Sequence, residues 1–362
     1  MAFIDAYLQF GLAFAVLLLA GGTALSLWQH PHWAVRSWDF PRAQIATMLT
    51  LFTLAYALIF HQGRWFDWLV LAAGAVALAW QAYRIYPYTR LAPQRILRAS
   101  DASSPSRLRV LSTNVQMENR DFDRWLATIR HADPDVILVL EPDDWWVRQM
   151  QALRPDYEPV MEQPQDNCYG MACYSRRPFS QVAVLYRIQE DIPSLRCEFA
   201  LDNRESVVFH GVHPRPPEPI RDVSAAPRDA EAIAIAREVA DRKSRDDPPT
   251  IVTGDFNDVA WSYTSELFMR ISGLLDPRIG RGLFSTFPAH LPYLRFPLDH
   301  CFHSDHFKLA DIRRLDPVGS DHLPLFIELV RERGAPAAQP EFEADASHRE
   351  DARDRLDNPA DG

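Results

Sequence analysis

The sequence predicts an α/β domain preceded by three membrane-spanning helices. Two observations carry this. Three long apolar segments occupy the first 83 residues. Beyond residue 107, short β-rich runs alternate with helical ones, and several strands follow one another without a helix between them. Such an order gives a mixed sheet, or two packed sheets with helices outside.

The segments 6–28 ("AYLQFGLAFAVLLLAGGTALSLW") and 43–60 ("AQIATMLTLFTLAYALIF") carry no charge, and 65–83 carries only Asp67. Helices of this length cross a bilayer, because a helix satisfies its own backbone in lipid. Trp28, Trp33, Trp38, Trp65, Trp68, Tyr83, Tyr86 and Tyr88 lie near the ends, as interfacial aromatics do. A cleaved signal peptide does not account for the first segment, which lacks a basic leader and a small-residue cleavage site. A buried soluble hairpin does not account for the other two, which are apolar all round. Residues 1–86 therefore read as a membrane region.

Residues 87–106 read as a linker: they hold Pro87, Pro93, Pro105 and the run "SDASSPS". The domain spans 107–332. "LRVLSTNV" (108–115) and "DVILVLE" (135–141) read as strands. "DFDRWLATIRHA" (121–132), with Asp121 as N-cap, and "DDWWVRQMQAL" read as helices. "YGMACYS", "VAVLYRI", "LRCEFAL" and "SVVFHGVH" read as four short strands, "RDAEAIAIAREVADRK" (228–243) as an amphipathic helix, and "TIVTGDFN" as a further strand. Residues 333–362 read as a disordered acidic tail. Within it, 341–362 has eight acids and three arginines, one Phe, one Leu and no apolar period. About half of the net charge of −10 sits there. No cluster of Lys and Arg marks a phosphate-binding patch of the kind nucleic-acid binders show. The four cysteines have no metal-like spacing, and the sequence does not decide whether Cys168 and Cys173 pair.

The strand ends share one property. Asn114, Glu141, His213, Asp255 with Asn257, and Asp299 each close or open a strand, and "GSDHLP" adds Asp321 and His322. Side chains two apart on a strand share a face, so Asp255 and Asn257 are presented together. Any one such residue could be a turn former. Six strand ends offering carboxylate, imidazole or amide point to one site, and acids gathered there repel one another unless a cation holds them.

Taken in order, these residues, with "TGDFN" and "GSDHLP" as the specific pair, resemble the endonuclease/exonuclease/phosphatase superfamily over about 107–330. The resemblance implies a four-layered, DNase-like α/β sandwich and hydrolysis of a phosphoester with a divalent metal. It implies Glu141 as main metal ligand, with Asn114 beside it and Asp321 near; hard oxygens of this kind suit Mg2+ or Mn2+. It implies that Asp255 orients and deprotonates the attacking water. Asn257 would then donate to the phosphoryl oxygens and His322 stabilise the phosphate. Asp299 would orient His322, and His213 donate to phosphate or leaving oxygen. Asn167 and Arg176 are candidate substrate contacts. The chain departs from abasic-site endonucleases at Gln116, where those often have an acid. His300 reads as a strand residue facing away from the site, and His303 and His306 as surface residues.

The implied function is a membrane-anchored, metal-dependent phosphoesterase. Three N-terminal helices before this domain are similar to a bacterial subgroup that includes teicoplanin-resistance phosphatases. That likeness implies a lipid-linked substrate such as polyprenyl pyrophosphate and a multi-pass protein of the bacterial inner membrane. Two alternatives are a membrane-tethered nuclease, which the missing basic patch disfavours, and an inactive binding or scaffold protein, which the retained site residues oppose. No protein partner is inferable. Counts of Lys and Arg in the loops place the domain in the cytoplasm, whereas the lipid-linked reading places it outside.

Overall fold

The computed structural model describes residues 2–101, 103–217, 223–243 and 248–359. Helix α1 (Ala2–Leu25) leads through a loop with the one-turn α2 (Trp33–Arg36) into α3 (Arg42–Ile59) and then α4 (Trp65–Ile85). The stretches Asp5–Leu25, Arg42–Ile59 and Trp65–Tyr88 are long and apolar enough to cross a membrane. They bundle around Val16, Ile45, Leu49 and Val70, while Phe10, Phe14, Leu58 and Val76 face outward. An apolar exterior is what lipid requires and water penalises.

The strands are β1 (Arg107–Asn114), β2 (Val136–Leu140), β3 (Glu158–Gln163), β4 (Met171–Ser175), β5 (Phe179–Leu185), β6 (Ser194–Ala200), β7 (Ser206–Val212), β8 (Thr250–Asp255), β9 (Asp299–His303), β10 (Phe307–Arg314) and β11 (Leu325–Arg331). They form a six-stranded sheet, β10-β11-β1-β2-β4-β3, and a five-stranded sheet, β5-β6-β7-β8-β9. Leu108, Val110, Leu138, Leu195, Phe209 and Ile251 pack between the two sheets. On the outer face of the first sheet lie α5 (Phe122–Ala132) and α6 (Asp144–Met150), whose Trp125 and Trp146 are fully buried. On the outer face of the second lie α7 (Ala226–Lys243) and α8 (Tyr263–Ser272). The result is the four-layered sandwich. Helix–sheet–sheet–helix packing lets both sheets bury both faces, which explains the all-apolar run of β2.

Several expectations need correction. The segment after α4 is packed on the domain: Tyr88 donates to the Ala260 carbonyl at 2.6 Å, Ile96 is fully buried, and Leu97 and Ala99 pair with Leu309. The tail is ordered over the described residues to 359. After the short α9 (Ala335–Ala338), α10 (Ala346–Asp357) is capped by Asp345 and lies on α7 and α8. It buries Ala352 and sends Arg355 to the buried Asp229. A small apolar cluster, a buried ion pair and hydrogen bonds from Tyr263 to Asp351 and from Gln339 to the Asp305 and Phe307 carbonyls hold a segment whose composition alone suggested disorder. Helix α7 is not simply amphipathic: Arg228, Asp229 and Glu231 are buried along with its apolar residues, because α8, α10 and the first loop surround it. His303 is buried within β9 rather than on the surface. Strand β3 and helix α8 went unread in the sequence. Pro159 masks the first, as proline does on edge strands.

Candidate active site

Each sheet contains one parallel pair. Strand β1 runs parallel to β2, and β7 parallel to β8. The two pairs deliver their C-terminal ends to the same edge of the sandwich, so Asn114, Glu141, His213 and Asp255 converge. Strand β9 is antiparallel to β8 with Asp255 opposite Asp299, so its first residue joins them. His322 and Asp321 sit in the loop entering β11, which is antiparallel to β1. The strand-end pattern in the sequence is thus one three-dimensional locus.

Gly254 makes the approach of β8 to β7 possible. Its φ is +146°, and a Cβ there would lie 1.9 Å from the Val212 carbonyl oxygen. The chain then turns so that the Asn257 backbone N–H donates to Asp255 Oδ1 at 2.8 Å. Asn257 (φ +51°) donates Nδ2 to the Pro214 carbonyl at 3.0 Å, leaving its second amide hydrogen for a ligand. Its own carbonyl accepts from Arg228 at 2.7 Å.

His322 Nδ1 lies 2.8 Å from Asp299 Oδ2, and its Nε2 lies 3.4 Å from Asp255 Oδ2. The ring stacks at 4.8 Å on Phe287. Burial opposes the charged form of His322, but Asp299 and Asp255 outweigh it and carry the pKa up to about 10. His213 has the opposite fate: burial dominates and lowers it to about 4, against the pull of Asp255. Its Nε2 is 3.9 Å from both Glu141 Oε1 and Asp255 Oδ2, so it spans the two sheets. Its Nδ1 is buried without a hydrogen-bond partner among the described residues. Burial also raises Asp255, countered by His322.

Glu141 takes a left-handed backbone (φ +64°) just past β2, held by its N–H to the Gly170 carbonyl at 2.9 Å. Asn114 donates Nδ2 to its Oε1 at 2.6 Å. Burial lifts the Glu141 carboxyl to about 7, with Asp255 and Asp321 adding to the rise and Asn114 and His322 opposing it. Gln116 bridges the neighbouring loop: its Oε1 accepts from the Asp321 N–H at 3.1 Å. Where an acid would have carried a charge, an amide fixes Asp321.

Asp255, Asp299 and His322 lie close enough to one another to share a metal ion. A cation is poorly placed there, because an imidazolium bonded to two carboxylates has no lone pair to give. Glu141, Asn114 and Asp321 fit better. They are hard oxygen donors, and a single imidazolium does not balance Glu141, Asp255, Asp299 and Asp321.

The remaining expectations divide. Asn167 lies in the loop before β4, at the site's end of the sandwich, but its Oδ1 accepts from the Tyr169 N–H and shapes that turn. Tyr169 is the residue that faces His213, at 5.5 Å between rings. Arg176 is a correction. Strand β4 is antiparallel to β2, so Ser175 pairs with Val136 at the far end, and Arg176 binds Asp133 and stacks on Tyr157. It does not reach the site. His300 faces away, as expected, between Arg278 and the Asp258 carbonyl. Tyr169 and Arg228 were missed; neither ends a strand, and each meets the site through tertiary contact.

This fold and locus define a phosphoester-hydrolase scaffold. The Endonuclease/Exonuclease/phosphatase family profile matches residues 111–322, and the chain belongs to that family. Its members are hydrolases acting on phosphoester bonds and are generally dependent on divalent metals. No curated protein matches the sequence. Among solved structures, the human nocturnin catalytic domain with bound sulfate is similar at 17% identity and TM-score 0.50, over 66% of this chain and 100% of that one. An endonuclease/exonuclease/phosphatase family protein from Bacteroides thetaiotaomicron is similar at 18% identity and TM-score 0.50, over 62% and 98%. At these identities the likeness is one of fold.

Proposed function

We propose that the chain is a membrane-anchored, divalent-metal-dependent phosphoesterase acting on a lipid-linked phosphate ester or pyrophosphate. The observation that carries the chemistry is the placing of Asp255 between a cationic His322 and a neutral His213, with Glu141 across the cleft. Glu141 and Asn114, with Asp321 near, would hold Mg2+ or Mn2+, which supplies Lewis-acid polarisation and charge neutralisation when bound. Asp255 orients and deprotonates the attacking water. His322, kept charged by Asp299, stabilises the phosphoryl oxygens, and the free amide hydrogen of Asn257 donates to them. His213, neutral by burial, donates to phosphate or leaving oxygen without adding charge. Phosphoryl transfer needs little beyond such positioning and neutralisation.

The three apolar helices favour a bilayer substrate, since a tether raises the effective concentration of whatever the bilayer carries. The acidic site and the missing basic patch count against the alternative, a tethered nuclease. The test is hydrolysis of a phosphomonoester, a phosphodiester and a polyprenyl pyrophosphate by the whole chain in detergent, with and without Mg2+ or Mn2+. Metal-dependent cleavage supports the reading. Duplex DNA cleaved in preference to all three, with tight salt-sensitive binding, would support the nuclease instead.

A further inference from the structure

The loop 286–296 joins the catalytic centre to a membrane helix. At one end, Phe287 stacks on His322, the Leu323 N–H donates to the Thr286 carbonyl at 3.1 Å, and the Ala289 N–H donates to the Asp321 carbonyl at 2.6 Å. At the other end, Gln44, in the first turn of α3, donates to the Tyr293 carbonyl at 3.0 Å. Phe40, just before α3, meets Phe296 edge to face at 5.9 Å. Between these anchors the loop exposes three large apolar side chains in a row broken only by Pro292: Leu291 at 44%, Tyr293 at 91% and Leu294 at 48%. Arg295 folds back onto the Pro288 and Ala289 carbonyls and holds the turn, rather than screening the apolar tip.

Scattered exposed apolar residues need no explanation; a cluster beside the first turn of a membrane span does. The candidate span begins at Arg42 and Gln44 bonds the Tyr293 carbonyl, so with α3 in a bilayer Tyr293 would lie level with its surface on the domain's side. An amphipathic tyrosine flanked by two leucines suits that depth. We infer that Leu291, Tyr293 and Leu294 form a lip seated in the bilayer interface, along which a lipid-borne phosphoester reaches His322. The occupant of this apolar face is membrane lipid. This rests on the phosphoesterase reading for the substrate, and the seating of the lip rests on the geometry together with α3 as a membrane span.

Two measurements test it. In the first, Tyr293→Cys, in a chain also carrying Cys168→Ser, is labelled with a polarity-sensitive fluorophore. It is reconstituted in phosphatidylethanolamine–phosphatidylglycerol vesicles, some with bromine on the upper acyl chain. Quenching by the brominated lipid and protection from aqueous iodide are expected; full iodide access without lipid quenching would overturn the lip. In the second, Leu291→Ser, Tyr293→Ser and Leu294→Ser are combined. Activity on a vesicle-embedded phosphoester should fall at least about tenfold, since apolar side chains lose that much on leaving lipid, while activity on a water-soluble phosphoester stays within about twofold. Equal activities of variant and parent on both substrates, or an equal fall on both, would contradict the substrate path. If the parent chain cleaves neither substrate, the phosphoesterase reading fails, and the quenching experiment still decides the lip.

Discussion

His322 Nδ1 bonds Asp299 Oδ2 at 2.8 Å, while its opposite nitrogen faces Asp255 Oδ2 at 3.4 Å, so one imidazolium is gripped along its whole length by two buried carboxylates. Asp299→Asn keeps the shape but removes one of those charges. His322 then loses much of what holds its pKa near 10. Turnover should fall by at least about 100-fold, as for loss of an acid–base partner. NMR titration of the His322 ring should show the lowered pKa directly, and an unshifted ring would separate Asp299 from the site.

The same pair gives a pH dependence of stability. His322 is raised from its ordinary value near 6.5 to about 10 in the folded chain. Its contribution is fully present below about pH 6.5 and is lost as pH rises through about 10. Thermal unfolding in detergent should show a decline across that window, smaller in Asp299→Asn. Equal declines would remove the charge pair as the cause.

How much of this was legible in the sequence depends on where the information lies. Asn114, Glu141, His213 and Asp255 were legible because each marks the end of a strand, and parallel pairing carries strand ends to one edge, while Asp299 opens the antiparallel β9 opposite Asp255. Arg176, expected at the site from the family resemblance, misled because the sequence does not show that β4 runs antiparallel to β2, which carries it to the far end. The order in the tail, the packed linker and the docked first loop were illegible. Each rests on a few buried pairs between residues more than 100 positions apart, such as Arg36 with Asp229.

That pairing supports its own expectation. Arg36, in α2 between α1 and α3, is buried against Asp229 and Asp258, and donates to Thr264 at 2.8 Å. Arg36→Ala should destabilise the chain by about 3 kcal/mol, the lower end for breaking a buried charge set, because Arg228 and Arg355 still face Asp229. Thermal unfolding in detergent measures it. A change too small to resolve would mean that the loop is not docked in solution.

Docking also constrains topology. The first loop touches the domain, so on the proposed anchoring by α1, α3 and α4 both would lie on one side of the membrane, with residues 61–64 on the other. The Lys and Arg count favours the cytoplasm for the domain, and the lipid-linked reading favours the outside. We expect a reporter active only outside the cytoplasm, fused after residue 330, to be active, and one at residue 62 to be silent. A well-expressed but silent fusion at 330 would place the domain in the cytoplasm and remove outer-leaflet polyprenyl pyrophosphate as substrate.

The metal brings its own pH signature. Burial holds the Glu141 carboxyl up at about 7, so near that pH a bound cation displaces a proton. Mg2+ or Mn2+ affinity should rise with pH through about 7 and then level off, and Glu141→Gln should weaken it. Calorimetric titration at several pH values reports both. A flat profile with an unchanged midpoint in the variant would exclude Glu141 as ligand.

The most direct test is turnover of a phosphoester by the whole chain and by Asp255→Asn, each titrated with Mg2+ or Mn2+. The parent should hydrolyse the substrate only with metal present. The variant should bind metal with an unchanged midpoint and be slower by at least about 100-fold. Metal-independent hydrolysis, or a variant as fast as the parent, would contradict the assignment of Asp255 as the group that activates water.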